Sequence, residues 1–186
     1  YAVKVYKLEN SSGSSVKVCN YGGIITSIKV PDRDETIGEV TLGYADFDDY
    51  RQNDQYFGAT IGRFANRIAG GRYTIDGANY SAACNDNGVN LLHSGDEGFH
   101  HKVFHVDADK GENMLRLSYI SPAGEAGFPG ALDVQVFIKL TEDNLVGLEY
   151  RATTDAETVV NLTNHTYFNL NGGGDILGHR LMINVG

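Results

Sequence analysis

The sequence predicts an all-β protein built as a large antiparallel sandwich. Three observations carry this. Apolar and polar residues alternate with a period of two over several stretches. Glycine is abundant at 23 residues and stands beside 11 tyrosines and 8 phenylalanines, a composition suited to strands joined by tight turns. No segment shows a sustained 3.6-residue apolar stripe. With 186 residues the chain can bury a sizeable core in one domain, and no repeat or linker divides residues 1–186.

Strands are expected at Val3–Leu8, Ser15–Asn20 and Ile24–Val30, followed by a short helical turn within Ala45–Gln52. Asp76-Gly77 lies between Arg72–Ile75 and Ala78–Ser81 and predicts a hairpin closed by a type I′ turn. Further strands are expected at Val103–Val106 and Met114–Ile120. The clearest run is Leu132, Val134, Val136, Ile138 and Leu140, one aliphatic face of a half-buried antiparallel strand. Glu142-Asp143-Asn144 turns the chain back into 145–152. Thr158–Leu162 and Leu181–Val185 complete the series, and Gly172-Gly173-Gly174 reads as a loop.

The formal net charge is −9, and the lysines and arginines are scattered. Such a chain repels phosphate backbones and anionic membranes, which argues against nucleic-acid and membrane partners and for a neutral small molecule. No apolar run reaches the roughly 18 residues of a membrane helix, and no secretory leader is visible. Tyr1 stands first rather than Met, so an upstream stretch is expected to be missing. Cys19 and Cys84 are expected as free thiols in a reducing compartment, which predicts a cytoplasmic location.

Chemistry is expected where polar residues sit among apolar ones. His165 lies in Asn161-Leu162-Thr163-Asn164-His165-Thr166-Tyr167-Phe168-Asn169. Amides, hydroxyls and an imidazole beside aromatic faces suit a sugar. An imidazole with an ordinary pKa of ~6.5 could donate a proton there, or could be a structural histidine. His93, in Asn90-Leu91-Leu92-His93-Ser94-Gly95, reads alone as an ordinary turn histidine. Arg63 and Arg67 stand amid small and apolar residues, so each is either paired in the interior or aimed into a site. Asn66-Arg67 could bind vicinal hydroxyls. His101 and His105 would lie about 13 Å apart on a strand, too far for one ion, so no metal site is predicted. Asn-x-Ser/Thr matches at Asn10, Asn79, Asn161 and Asn164 are read as chance.

Three segments together resemble the aldose 1-epimerase (galactose mutarotase) family: 57–68 with Gly62-Arg63-Phe64-Ala65-Asn66-Arg67, 90–95 with His93, and 161–170 with Asn161-Leu162-Thr163-Asn164-His165. The resemblance implies a large antiparallel sandwich of the galactose mutarotase-like type, with the sugar in an open cleft and no metal or organic cofactor. It implies His165 as the general acid on the ring oxygen, His93 as the second catalytic histidine, and Asn66 and Arg67 as holders of sugar hydroxyls. Ser94-Gly95 stands where the family has two glycines. The family's general-base glutamate lies beyond the last matched segment, and none of Glu97, Glu112, Glu125, Glu142, Glu149 or Glu157 sits in its motif. Residues 1–186 are therefore expected to be the N-terminal part of one such domain. Missing strands would be supplied by a second chain, or the fragment would dissolve poorly. The implied activity is interconversion of α and β anomers of free galactose or glucose. A sugar-binding module without the base is the alternative. No basic cluster for a sugar phosphate is present.

Overall fold

The computed structural model describes residues 2–52 and 54–184. The chain first forms β1 (Val5–Glu9), β2 (Ser15–Cys19), β3 (Ile24–Pro31), β4 (Ile37–Glu39) and the one-turn helix α1 (Phe47–Arg51). Short strands follow: β5 (Thr60–Ile61), β6 (Arg67–Ala69), β7 (Arg72–Ile75), β8 (Ala78–Ser81) and β9 (Asn90–Leu92). The last group is β10 (His105–Asp109), β11 (Met114–Ser121), β12 (Leu132–Leu140), β13 (Val146–Thr154) and β14 (Thr163–Asn164). Among the described residues, no helix is long and apolar enough to cross a membrane.

Strands β1 to β4 make one antiparallel sheet in chain order, and β10 to β13 make another. The two pack face to face. Leu132, Val134, Val136, Ile138 and Leu140 are each at most 1% exposed, as strict alternation requires. They share a core with Val16, Val18, Ile25, Ile28, Leu115 and Leu117. Each such side chain contributes roughly 1.5–3 kcal/mol by leaving water. Ile25 and Ile28 are three residues apart yet reach the same core. A bulge explains this: Lys17 faces Ser27 and Val18 faces Ile25, so Thr26 is the extra residue. The bulge also sends Ile24 into a second cluster with Cys19, Tyr50, Ala59, Ile61 and Ala65.

The hairpin of β7 and β8 matches the expected bounds, with Asp76 and Gly77 both at positive φ (48° and 77°) as a type I′ turn needs. Helix α1 falls inside the expected 45–52. Two expected strands do not form. Thr158–Leu162 makes only one isolated bridge, a parallel one between Phe64 and Asn161; the chain then pairs antiparallel two residues on, where β14 meets β5, so no single ladder runs through the segment. Residues 181–184 have no regular structure, and Leu181 and Met182 are 86% and 93% exposed; Val185 lies outside the described residues. Val103 makes an isolated bridge to Tyr21, and the strand expected there begins at His105 instead. Short β4, β5 and β6 lie outside the expected strands.

One flank of the sandwich is open. Strand β13 stands at the edge of its sheet, and Val30, Val40, Val146, Leu148, Phe168 and Leu170 line a groove of about 490 Å³. Leu148, Phe168 and Leu170 are 39%, 53% and 67% exposed.

Arg63 is the buried arginine of the pair. It is 1% exposed. Its Nε donates to Ser121 Oγ at 3.0 Å, its Nη1 to the carbonyls of Pro129 and Gly130 at 2.9 and 2.8 Å, and its Nη2 to those of Ser121 and Pro122 at 3.0 and 2.8 Å. Arg63→Ala should cost about 3–5 kcal/mol in urea unfolding, since it strands these buried acceptors. Arg63→Lys should recover little, because an ammonium cannot span the set. A loss below ~1 kcal/mol in the alanine variant would contradict this account.

Candidate active site

Strand β6 pairs with β9, setting Arg67 opposite Leu92. This places Asn66 and His93 side by side at the end of the pair. Both leave the ladder in the left-handed region, at φ 68° and 53°. They are joined reciprocally: His93 N–H donates to the Asn66 carbonyl at 3.1 Å, and Asn66 N–H donates to His93 Nδ1 at 2.9 Å. Because Nδ1 accepts, the ring proton of neutral His93 sits on Nε2, at the opposite edge. Burial, aided by the fields of His165 and Arg67, pushes His93 down to about 4. His93 is thus a neutral hydrogen-bond donor at pH 7.

Ser94 and Gly95 continue the left-handed run at φ 65° and 63°. Ser94 is buried, and its Oγ accepts from Phe64 N–H at 2.9 Å. The hydroxyl therefore adds a clamp where glycine would supply only conformational freedom.

His165 follows β14, whose Thr163 and Asn164 pair with Ile61 and Thr60. Its N–H donates to the Ala59 carbonyl at 2.8 Å, and its carbonyl accepts from Gly58 N–H at 3.1 Å. Gly58 in turn packs closely on β3: it has φ 66°, and a Cβ there would stand 2.0 Å from the Ile25 carbonyl oxygen. Three nearby amides are spent on the backbone. Nδ2 of Asn161 donates to Ala65, that of Asn164 to Gly58, and that of Asn169 to Gly174. His165 and Tyr167 share the cleft wall with Asn161 and Asn164, whose amides are fixed on the backbone.

The His93 and His165 rings lie 5.1 Å apart, centroid to centroid. Tyr56 packs at 4.7 Å from His93 and 5.6 Å from His165, and Tyr167 at 5.2 Å from His165. Ala65, Asn66, His93, Asn161, His165 and Tyr167 line a cleft of about 590 Å³. An adjoining recess of about 440 Å³ adds Asp54, Tyr56 and Arg67. Arg67 is half exposed, with Nε donating to Asp86 at 2.7 Å. The four residues singled out from the sequence, His165, His93, Asn66 and Arg67, thus border one continuous hollow. Tyr56 was not foreseen. It sits in an irregular loop at φ 58°, where no periodicity marks it.

No glutamate lines either hollow among the described residues. Glu97 accepts from Ala126 N–H, Glu125 from Tyr119, Glu142 from Ser11, and Glu149 from Arg151; Glu112 pairs with Lys139. Among the described residues there is also no group of three or more His, Cys, Asp or Glu able to hold a metal ion. His100 is buried against Tyr56, His101 Nδ1 lies 3.0 Å from Tyr21 Oη, and His105 begins an edge strand.

The family model described as aldose 1-epimerase matches residues 4–186. The chain belongs to the aldose 1-epimerase family. The aldose 1-epimerase of Escherichia coli strain K12 is 38% identical over 181 residues, covering 97% of this chain and 52% of the relative. The galactose mutarotase of Sus scrofa is 44% identical over 170 residues, covering 90% and 48%. Among solved structures, a GalM/aldose epimerase homologue from C. elegans superposes with a TM-score of 0.87 at 26% identity, over 92% of this chain and 52% of that one. The chain spans about half the length of the curated relatives it matches.

Acid should weaken the fold through this site. His93 refuses a proton until about 4, and burial, followed by its charged neighbours, holds His100 down to about 3, whereas both titrate near 6.5 when unfolded. Between those values the unfolded chain binds more protons, so stability falls as pH drops from about 6.5 toward 4. Urea midpoints measured across this range should decline, and His93→Gln should flatten part of the slope. A midpoint independent of pH there would contradict the neutral assignment.

Proposed function

We propose that the chain carries the proton-donating half of a mutarotase site acting on free aldoses such as galactose and glucose. The observation that carries the reading is the pair of imidazoles 5.1 Å apart over one cleft, with His93 held neutral by the Asn66 N–H. Two adjacent rings resist holding two positive charges. His93 is the ring kept neutral, and we assign to His165 the proton that the reaction donates. His165 gives that proton to the ring oxygen of the pyranose, while His93 Nε2–H hydrogen-bonds the sugar near the same oxygen. Asn66 and Arg67 hold hydroxyls. Tyr167 and Tyr56 offer aromatic faces to the C–H side of the sugar.

The anomeric hydroxyl loses its proton to a general base as the bond between C1 and the ring oxygen breaks. Rotation about C1–C2 and attack on the other carbonyl face return the opposite anomer. No cofactor enters these steps. We place the base in the half of the fold that the relatives carry beyond the matched residues. That half, continuous with this chain or on a second one, would also cover Leu148, Phe168 and Leu170. The free thiols of Cys19 and Cys84 support a cytoplasmic location.

Polarimetry on fresh α-D-galactose tests the reading, with the chain completed by the remaining half of the domain. Catalysed mutarotation is expected, and His165→Ala should reduce it by about 10²–10⁴-fold. An alanine variant as fast as the unaltered protein would sink the assignment of His165.

A further inference from the structure

We propose that Asp86 is a positioning residue that sets the Arg67 guanidinium at the cleft; the inference rests on the sugar-binding reading above. Arg67 leaves β6 with its side chain 53% exposed, and a free arginine there would sample many rotamers. Asp86 removes that freedom. Its Oδ2 accepts from Arg67 Nε at 2.7 Å and from Asn90 Nδ2 at 3.2 Å, while Oδ1 accepts from Asn87 Nδ2 at 3.3 Å. The Asp86 side chain is itself only 16% exposed. Its loop is closed by backbone bonds: Asp86 N–H to Asn90 O at 3.0 Å, Val89 N–H to Asp86 O at 2.9 Å, and Asn90 N–H to Asp86 O at 3.2 Å.

This loop feeds directly into β9, the partner of β6. Arg67 is therefore fixed twice, through its backbone opposite Leu92 and through its head group on Asp86. Anchoring at Nε leaves the Nη edge, with four of the five guanidinium donors, for a ligand. The carboxylate also offsets part of the positive charge that Arg67 brings beside His93. Arg67 and Asn90 hold the Asp86 carboxyl below the usual carboxylate range, so it stays ionised at neutral pH.

A double-mutant cycle tests the proposal on the completed domain. Asp86→Ala should raise KM for galactose about tenfold with kcat within about threefold of the unaltered protein, and Asp86→Asn should fall between them. In an Arg67→Ala background, Asp86→Ala should change KM by less than twofold, because Asp86 acts through Arg67. Losses that multiply, or an unchanged KM in Asp86→Ala, would overturn the proposal. A second arm needs no turnover. In ¹⁵N-edited NMR, the Arg67 Nε–H line, assigned by its loss in Arg67→Lys, should shift and exchange faster in Asp86→Ala, and its response to added galactose should weaken. Should the unaltered protein fail to turn over galactose, the functional reading falls. This NMR arm then decides the present inference alone: an identical line and identical galactose response in both proteins would reject it.

Discussion

The cleft depends on how an irregular strip of chain, residues 58–67, is held against a regular sandwich. Arg63 supplies that hold. Its side chain donates to carbonyls and a hydroxyl drawn from 121–122 and 129–130, while its own carbonyl accepts from Asn161 N–H at 2.8 Å. Ala65 N–H returns a bond to Asn161 O at 2.8 Å. One buried cation thus ties the second sheet, the strip and the segment leading to His165 together. A hydrocarbon side chain would fill the volume but would leave those carbonyls without donors. The constraint also sorts the two arginines: Arg63 is consumed by the fold, and Arg67, four residues on, is left at the surface.

From that anchor the site follows by short steps. Pairing of β6 with β9 ends at Asn66 and His93, and the two exchange bonds that set the imidazole tautomer. Pairing of β5 with β14 ends at His165, whose backbone is bound to Gly58 and Ala59. Each strand is only two or three residues long, so neither would persist without the packed sandwich beneath it. The geometry of the candidate site is carried by strand ends, where the ladder stops and side chains turn into the hollow.

Long alternation was legible in the sequence because burial on one face imposes it. Leu132–Leu140 was read with its observed bounds for that reason, and the hairpin around Asp76-Gly77 through its turn residues. Strands β5, β6 and β14 are too short to show any period. Thr158–Leu162 has the β-branched composition of a strand, but its neighbour offers only one parallel bridge before the pairing turns antiparallel at β14. Leu181–Ile183 is apolar throughout, yet no described strand lies alongside it. Among site residues, His93, His165, Asn66 and Arg67 stood out through a family resemblance, whereas spacing alone left each with a bland alternative. Tyr56 and Asp86 left no such mark. Their places come from loop conformation, which only the folded backbone displays.

The central claim is that His93 is held neutral, with Nδ1 accepting from Asn66 N–H and the ring proton on Nε2. Long-range ¹H–¹⁵N NMR of the histidine rings tests it most directly. At pH 7, with and without galactose, His93 should show a protonated Nε2 and an unprotonated Nδ1. A proton on His93 Nδ1, or a doubly protonated His93 ring, would contradict the account.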